Sequence, residues 1–144
     1  VMGTYPMTSD GRLNPDMPLN HRIFLAQFET IKKLAESPCV IVGRCADYVL
    51  QEHTNLISVF VTGDMPEKKR RIGERYDIEK HKLEDFIRKT DKRRANYYEY
   101  YSDRKWGRSA NYDIAVNSSK VGIDGAVDII CRYIELYESR SADK

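Results

Sequence analysis

The sequence contains no Gly-x-x-x-x-Gly-Lys-Ser/Thr segment. The glycine-rich backbone loop that cradles β- and γ-phosphates in many nucleotide-using enzymes is therefore not among these 144 residues. Gly-x-Gly-x-x-Gly and Gly-x-Ser-x-Gly are missing too. That removes the dinucleotide-binding fingerprint and the exposed-serine elbow of α/β hydrolases. Cysteine is scarce: Cys39, Cys45 and Cys131 are odd in number and match no zinc spacing. Reduced thiols and a cytoplasmic setting are the expectation. No apolar run approaches the roughly 20 residues of a membrane span, and no secretory signal opens the chain. His21, His53 and His81 stand among polar neighbours, which gives no reason to expect a metal site. The net charge of +2 is too small to argue for nucleic acid.

The charge that is present is uneven. Of the 24 Lys and Arg, 15 fall between positions 66 and 108, against nine acids there. A local basic surface points to a polyanionic ligand. At 41% hydrophobic and 32% charged, a chain of this length fits one domain with a real core.

The stretch Cys39-Val40-Ile41-Val42-Gly43-Arg44-Cys45-Ala46-Asp47 organises the rest. A short apolar run without polar alternation predicts a strand covered on both faces, as in a parallel sheet. Ligands of open α/β folds bind past the carboxyl ends of such strands. Gly43 permits a sharp turn there. Arg44 is either a planar cation offered to a phosphate or carboxylate, or a surface arginine paired with a local acid. A nucleophilic Cys45 beside it is a further reading.

Residues 1–20 carry turn chemistry and read as a loop or arm. A helix is expected from Asn20, as N-cap, to Glu36, with Phe24, Phe28, Ile31, Leu34 and Ala35 as its apolar stripe. After the strand at 39–42 comes a short helix with Ala46, Val49 and Leu50. Residues 56–61 form the second strand. Asp64, with Pro66 and Glu67, predicts a capped basic helix over 65–76. Residues 78–103 are helical, within a lid-like segment of about 78–108. Residues 112–117 form the third strand, closed by Ser118 and Ser119. A last helix covers 122–137, and the polar tail 138–144 frays. This order gives an α/β fold with three layers: a mainly parallel sheet and flanking helices, the core lying in 21–137. Three strands are few where about five are usual, so the sheet is expected to lack its first strands. The chain begins with Val1 rather than Met. The expectation is a processed protein, a fragment, or part of a longer one.

Arg88, Asp91 and Arg94 are spaced three apart and can share one helical face. An aspartate holding guanidiniums beside a phosphate preorganises charge. A solvated face with i,i+3 ion pairs is the alternative. Tyr97, Tyr98, Tyr100 and Tyr101 read as helix packing, with base stacking as the other possibility.

Together these segments resemble the cytidylate kinase-like family. Val40-Ile41-Val42-Gly43-Arg44 with Ala46-Asp47 is similar to its Gly-Arg segment, with Cys45 where the typical enzyme has Asp. Val59-Phe60-Val61-Thr62-Gly63-Asp64, then Glu67, Arg71 and Ile72, resembles the following strand and basic helix. Asp91-x-x-Arg94-Ala95, Tyr97-Tyr98 and Trp106-Gly107 resemble the lid. Tyr112 to Ser119 resembles the last strand. The resemblance covers about 24–134. It implies a P-loop nucleoside monophosphate kinase fold that moves the γ-phosphoryl of ATP, with Mg²⁺, onto a nucleoside monophosphate. It places Arg44 and Asp47 at the acceptor, Arg88 and Arg94 over the transferring phosphoryl with Asp91 orienting them, and Asn117, Ser118, Ser119 and Lys120 near the ATP base. The implied partners are mono- and triphosphate nucleotides, with no membrane; the oligomeric state is not indicated. A non-catalytic nucleotide- or anion-binding regulatory module on the same scaffold is the competing reading. A nucleic-acid binder using the basic helices and tyrosines is a third, disfavoured by the near-neutral charge.

Overall fold

The computed structural model describes residues 18–142. The expected arm therefore lies, but for residues 18–20, outside the described residues. The chain divides into two compact units, Val1–His53 and Thr54–Lys144. The protein is α/β, with a small parallel sheet and many helices.

In the first unit, α1 spans Leu19–Leu34 and α2 spans Ala46–Val49. Helix α1 starts directly after Pro18, without a side-chain cap, so Asn20 lies inside the helix rather than capping it. Phe24 and Ile31 are buried, as the helical stripe predicts. Ile31, Ala46 and Val49 form a small core, with Phe28, Ile41 and Leu50 packed around it. The expected strand at 39–42 is not formed. A strand needs a neighbour to take its backbone bonds, and this segment has none among the described residues. Only Ile41 turns inward. Val40 and Val42 are 94% and 89% exposed.

In the second unit, β1 (Val59–Thr62) pairs in parallel with β2 (Ile114–Asn117), Val59 opposite Ile114 and Thr62 opposite Asn117. The strands expected over 56–61 and 112–117 form over 59–62 and 114–117, the first starting three residues later and ending one residue further on. Among the described residues the sheet has these two strands, not three. At the opening end, Ser58 gives its backbone N–H and its hydroxyl to the Asp113 carboxylate, each at 2.7 Å. That clamp fixes the register, and with it which side chains emerge at the far end.

Helix α3 (Met65–Arg75) follows β1 and α4 (Leu83–Ser102) follows a 3₁₀ turn at Lys80–Lys82. Leu83, Ile87 and Tyr98 of α4 are buried. The Tyr98 ring stacks on Tyr112 at 6.4 Å, and Phe60 of β1 lies 4.9 Å from Tyr112 and 5.3 Å from Trp106. Such pairs add about 0.5–1.5 kcal/mol beyond burial. Packing, not base stacking, thus employs Tyr98. Gly107, at φ 74°, brings the backbone against Phe60, and a Cβ there would lie 3.1 Å from the ring.

Helix α5 (Ser118–Ala142) begins directly at the end of β2 and breaks at Gly122, whose φ of 75° and ψ of 178° suit glycine alone. It also outruns its expected end. Ser139 and Ser141 give their hydroxyls to the carbonyls of Leu136 and Tyr137, and Arg140 sits in the last turn, where the helix dipole favours a cation. Residues 138–142 of the expected frayed tail are therefore helical.

Candidate functional site

Parallel strands deliver the residues that follow them to one edge. Gly63 and Asp64 follow β1; Ser118, Ser119 and Lys120 follow β2. At that edge Ser118, 4% exposed, donates its hydroxyl to the Thr62 carbonyl at 2.9 Å and accepts from Arg71 Nη2 at 3.2 Å. The Asp64 backbone N–H donates to Ser119 Oγ at 2.8 Å. Asn117 Nδ2 donates to Asp64 Oδ1 at 2.9 Å, while its Oδ1 accepts the Ser119 N–H at 3.0 Å. Lys120 Nζ lies 3.4 Å from the other Asp64 oxygen. Gly63 makes this closeness feasible: a Cβ there would sit 3.0 Å from Arg71 Nη2 and 3.1 Å from Ser119 Oγ.

The predicted capping box at Asp64 is not formed; its side chain makes no cap bond to α3. The carboxylate instead turns to Asn117 and Lys120. The Asn117 hydrogen bond, aided by Lys120, holds it below the ordinary carboxylate range. Two donors, the Asn117 amide and the Lys120 cation, thus stand in for the backbone N–H of a cap.

A second group of charges joins α3 to α4. Asp91 takes Lys68 Nζ on Oδ2 at 2.7 Å and Arg94 Nη1 on Oδ1 at 3.1 Å. Arg88 is not held by Asp91. Its guanidinium goes one turn back to Glu84, at 2.7 and 3.0 Å, and that bond lowers the Glu84 carboxyl. A fork-to-carboxylate contact at i−4 is available without any tertiary arrangement, so Arg88 takes it.

In the first unit, Gly43, Arg44 and Cys45 all have left-handed backbones, at φ 72°, 56° and 55°. For the two non-glycine residues this costs about 1–2 kcal/mol each. The turn points Arg44 outward and buries Cys45, which is 3% exposed. Burial, with the Asp47 charge adding to it, pushes the Cys45 thiol up to about 12. Buried and with its thiol raised, Cys45 sits as a packing residue rather than as the accessible thiolate a nucleophile requires.

The family model described as the cytidylate kinase-like family matches residues 1–120. The chain belongs to the cytidylate kinase-like family. It is also similar to a solved structure, an uncharacterized protein from Eubacterium ventriosum ATCC 27560. The two are 37% identical, with a TM-score of 0.78, over 83% of this chain and 68% of that one. No curated protein matches the chain.

Within this cytidylate kinase-like chain, Asn117, Ser118, Ser119 and Lys120 do come together, around Asp64 and Arg71. Asp91 and Arg94 also meet, while Arg88 is engaged elsewhere. Arg44 and Asp47 belong to the other unit. Sequence reasoning missed three residues as members of the site: Asp64, Lys68 and Arg71. The available signal was position. The first turns of a helix that directly follows a parallel strand lie at the ligand edge of the sheet. No helix among the described residues is long and apolar enough to cross a membrane.

Proposed function

We propose that this protein is an ATP-dependent phosphotransferase acting on a nucleoside monophosphate, in the cytoplasm, on the three-layer scaffold of the P-loop monophosphate kinases. Family membership supports the class. The observation that carries it is Asp91, clamped between Lys68 at 2.7 Å and Arg94 at 3.1 Å. Phosphoryl transfer passes through a loose transition state with little for a protein to do covalently. Positioning and charge neutralisation supply most of the rate. A guanidinium already oriented by a carboxylate needs no reorganisation when charge develops.

In this reading Arg94 and Arg88 are cations over the transferring phosphoryl, and Asp91 positions Arg94. Asn117, Ser118, Ser119 and Lys120 face the ATP base, with Arg71 bracing Ser118. Arg44 and Asp47 bind the acceptor. Magnesium would enter with the nucleotide and neutralise its phosphate oxygens. No group of three His, Cys, Asp or Glu residues able to hold a metal occurs among the described residues. An ion carried by phosphates needs only one or two protein carboxylates.

The test is diphosphate formation by the full-length protein, bearing the phosphate-cradling loop that these 144 residues lack, from ATP, Mg²⁺ and each of the four common nucleoside monophosphates, in the wild type and Arg94→Ala. The expected result is turnover on at least one acceptor, lowered in the variant. Tight monophosphate binding without turnover on any acceptor would overturn the catalytic role. It would favour the second reading, a non-catalytic nucleotide-binding module on the same scaffold.

A further inference from the structure

A shallow groove of about 650 Å³ runs between the 76–82 connection and α4, lined by Ile78, Lys82, Phe86, Lys89, Lys92 and Arg93, with Asp85 and Asn96 completing it. At about 3.6 residues per turn, Lys89, Arg93 and Asn96 lie on the side of α4 away from Asp91. This groove is therefore separate from the charges that join α3 to α4. Its apolar end is Ile78 and the Phe86 ring, which Tyr76 backs at 6.3 Å. Its cations are unequally satisfied. Lys89 pairs with Asp85 at 2.7 Å and Lys82 pairs with Glu79. Among the described residues, Arg93 reaches the neutral Thr90 hydroxyl, at 3.2 Å. Among the described residues, Lys92 and Arg93 have no carboxylate partner.

We propose that this groove is a second ligand site, for a phosphate-bearing ligand with a flat ring system. The ring lies on Phe86 and Ile78, the phosphates meet Lys92, Arg93 and Lys89, and the Asn96 amide reads a polar ring edge. The volume is within the roughly 300–1,000 Å³ of small-molecule sites, which combine an apolar wall with a few placed polar groups. Two adjacent cations lacking carboxylates give an anion its charge-assisted bonds without first breaking an ion pair. A purely solvated basic face would need no apolar wall at its end. The site does not depend on the phosphotransferase reading.

The experiment is an amide chemical-shift titration of the whole chain with ADP, with pyrophosphate, and with adenosine. ADP is expected to move Ile78, Phe86 and Asn96 saturably, and more tightly than either half-ligand. The double substitution Lys92→Glu with Arg93→Glu, at exposed positions, weakens this by about tenfold or more, the worth of one charge-assisted bond. Arg94→Ala leaves it unchanged. Shifts confined to Asp64 and residues 117–120 overturn the groove while leaving the phosphotransferase reading intact. Equal affinity for pyrophosphate and ADP overturns the ring-binding part, and an unaltered double variant overturns the cations' role.

Discussion

Lys68 of α3 and Asp91 of α4, 23 positions apart, meet at 2.7 Å, and each is under one-third exposed. The bond does two things. It ties the basic helix after β1 to the long helix that follows, and it fixes the carboxylate that Arg94 leans on. Asp91→Asn leaves Lys68 and Arg94 without their charge partner. The expected cost is about 1 kcal/mol, between the value of an exposed pair and that of a buried one. Denaturant midpoints with an unchanged slope check it. A double-mutant cycle with Lys68→Met separates the pair from its surroundings; a coupling energy near zero sinks the tie. In a turnover assay Asp91→Asn should lower kcat more than it raises KM, because a positioning residue acts in the transition state.

Ser118 is the buried hub of the sheet edge. Its hydroxyl gives to Thr62 and takes from Arg71. Ser118→Ala removes both bonds, at about 1 kcal/mol, while Arg71 keeps its ion pair with Glu67 at 3.6 Å. Gly63→Ala attacks the same hub from outside. The new Cβ must push Arg71 and Ser119 by a few tenths of an ångström. Arg71 can yield, since its far end is flexible. Ser119 yields only by loosening its bond to the Asp64 N–H. Thermal melting that leaves Gly63→Ala at wild-type stability would show that the edge tolerates a side chain.

Much of this unit was legible because its signals are local. The run at 56–61 is short, mostly apolar and stopped by Thr62-Gly63; Pro66 and Glu67 mark the start of α3. The helix expected over 78–103 forms over 83–102, with Leu83, Ile87 and Tyr98 buried. What was not legible depends on distant partners. Asp64 looks like a cap until Asn117, 53 positions on, offers its amide. Asp91 can reach either Arg88 or Arg94 by spacing, and only the approach of Lys68 and the competing Glu84 decide which. The run at 39–42 has the composition of a central strand, but composition supplies no neighbour, and Val40 and Val42 stay in solvent.

The three cysteines should separate by reactivity. Cys39 and Cys131 are exposed and Cys45 is buried with its thiol raised to about 12. Iodoacetamide near neutral pH should modify two thiols on the folded chain, and the third only after unfolding. Peptide mapping identifies the slow one. Fast labelling of Cys45 would mean that the left-handed turn at 43–45 opens readily.

Arg44 stands exposed on that turn. If it binds the acceptor phosphate, Arg44→Ala weakens monophosphate binding by about tenfold, one charge-assisted contact. Stability should hardly change, because alanine keeps the same backbone cost and no core contact is lost. Calorimetric titration reads the affinity and melting reads the fold. Unaltered affinity removes Arg44 from the site and leaves it a surface cation.

Acid should loosen the sheet edge in a definite window. Asp64 is held below the ordinary carboxylate value, about 3.9, by the Asn117 amide and by Lys120. A lowered folded value contributes stability above the unfolded value, and that share is lost as pH falls through the folded one. Glu67, Glu84 and Glu99 are lowered in the same sense, by Arg70, Arg88 and Lys105. Stability should therefore drop below pH of about 4 as all four take up protons. Asp64→Asn removes one share: its melting temperature sits below wild type near neutral pH, and the two converge in acid. The bond is exposed, so low ionic strength is needed to see it. Parallel wild-type and variant curves would mean that Asn117 and Lys120 hold a neutral partner as well as a charged one, and that the edge is fixed by Ser118 and Ser119 alone.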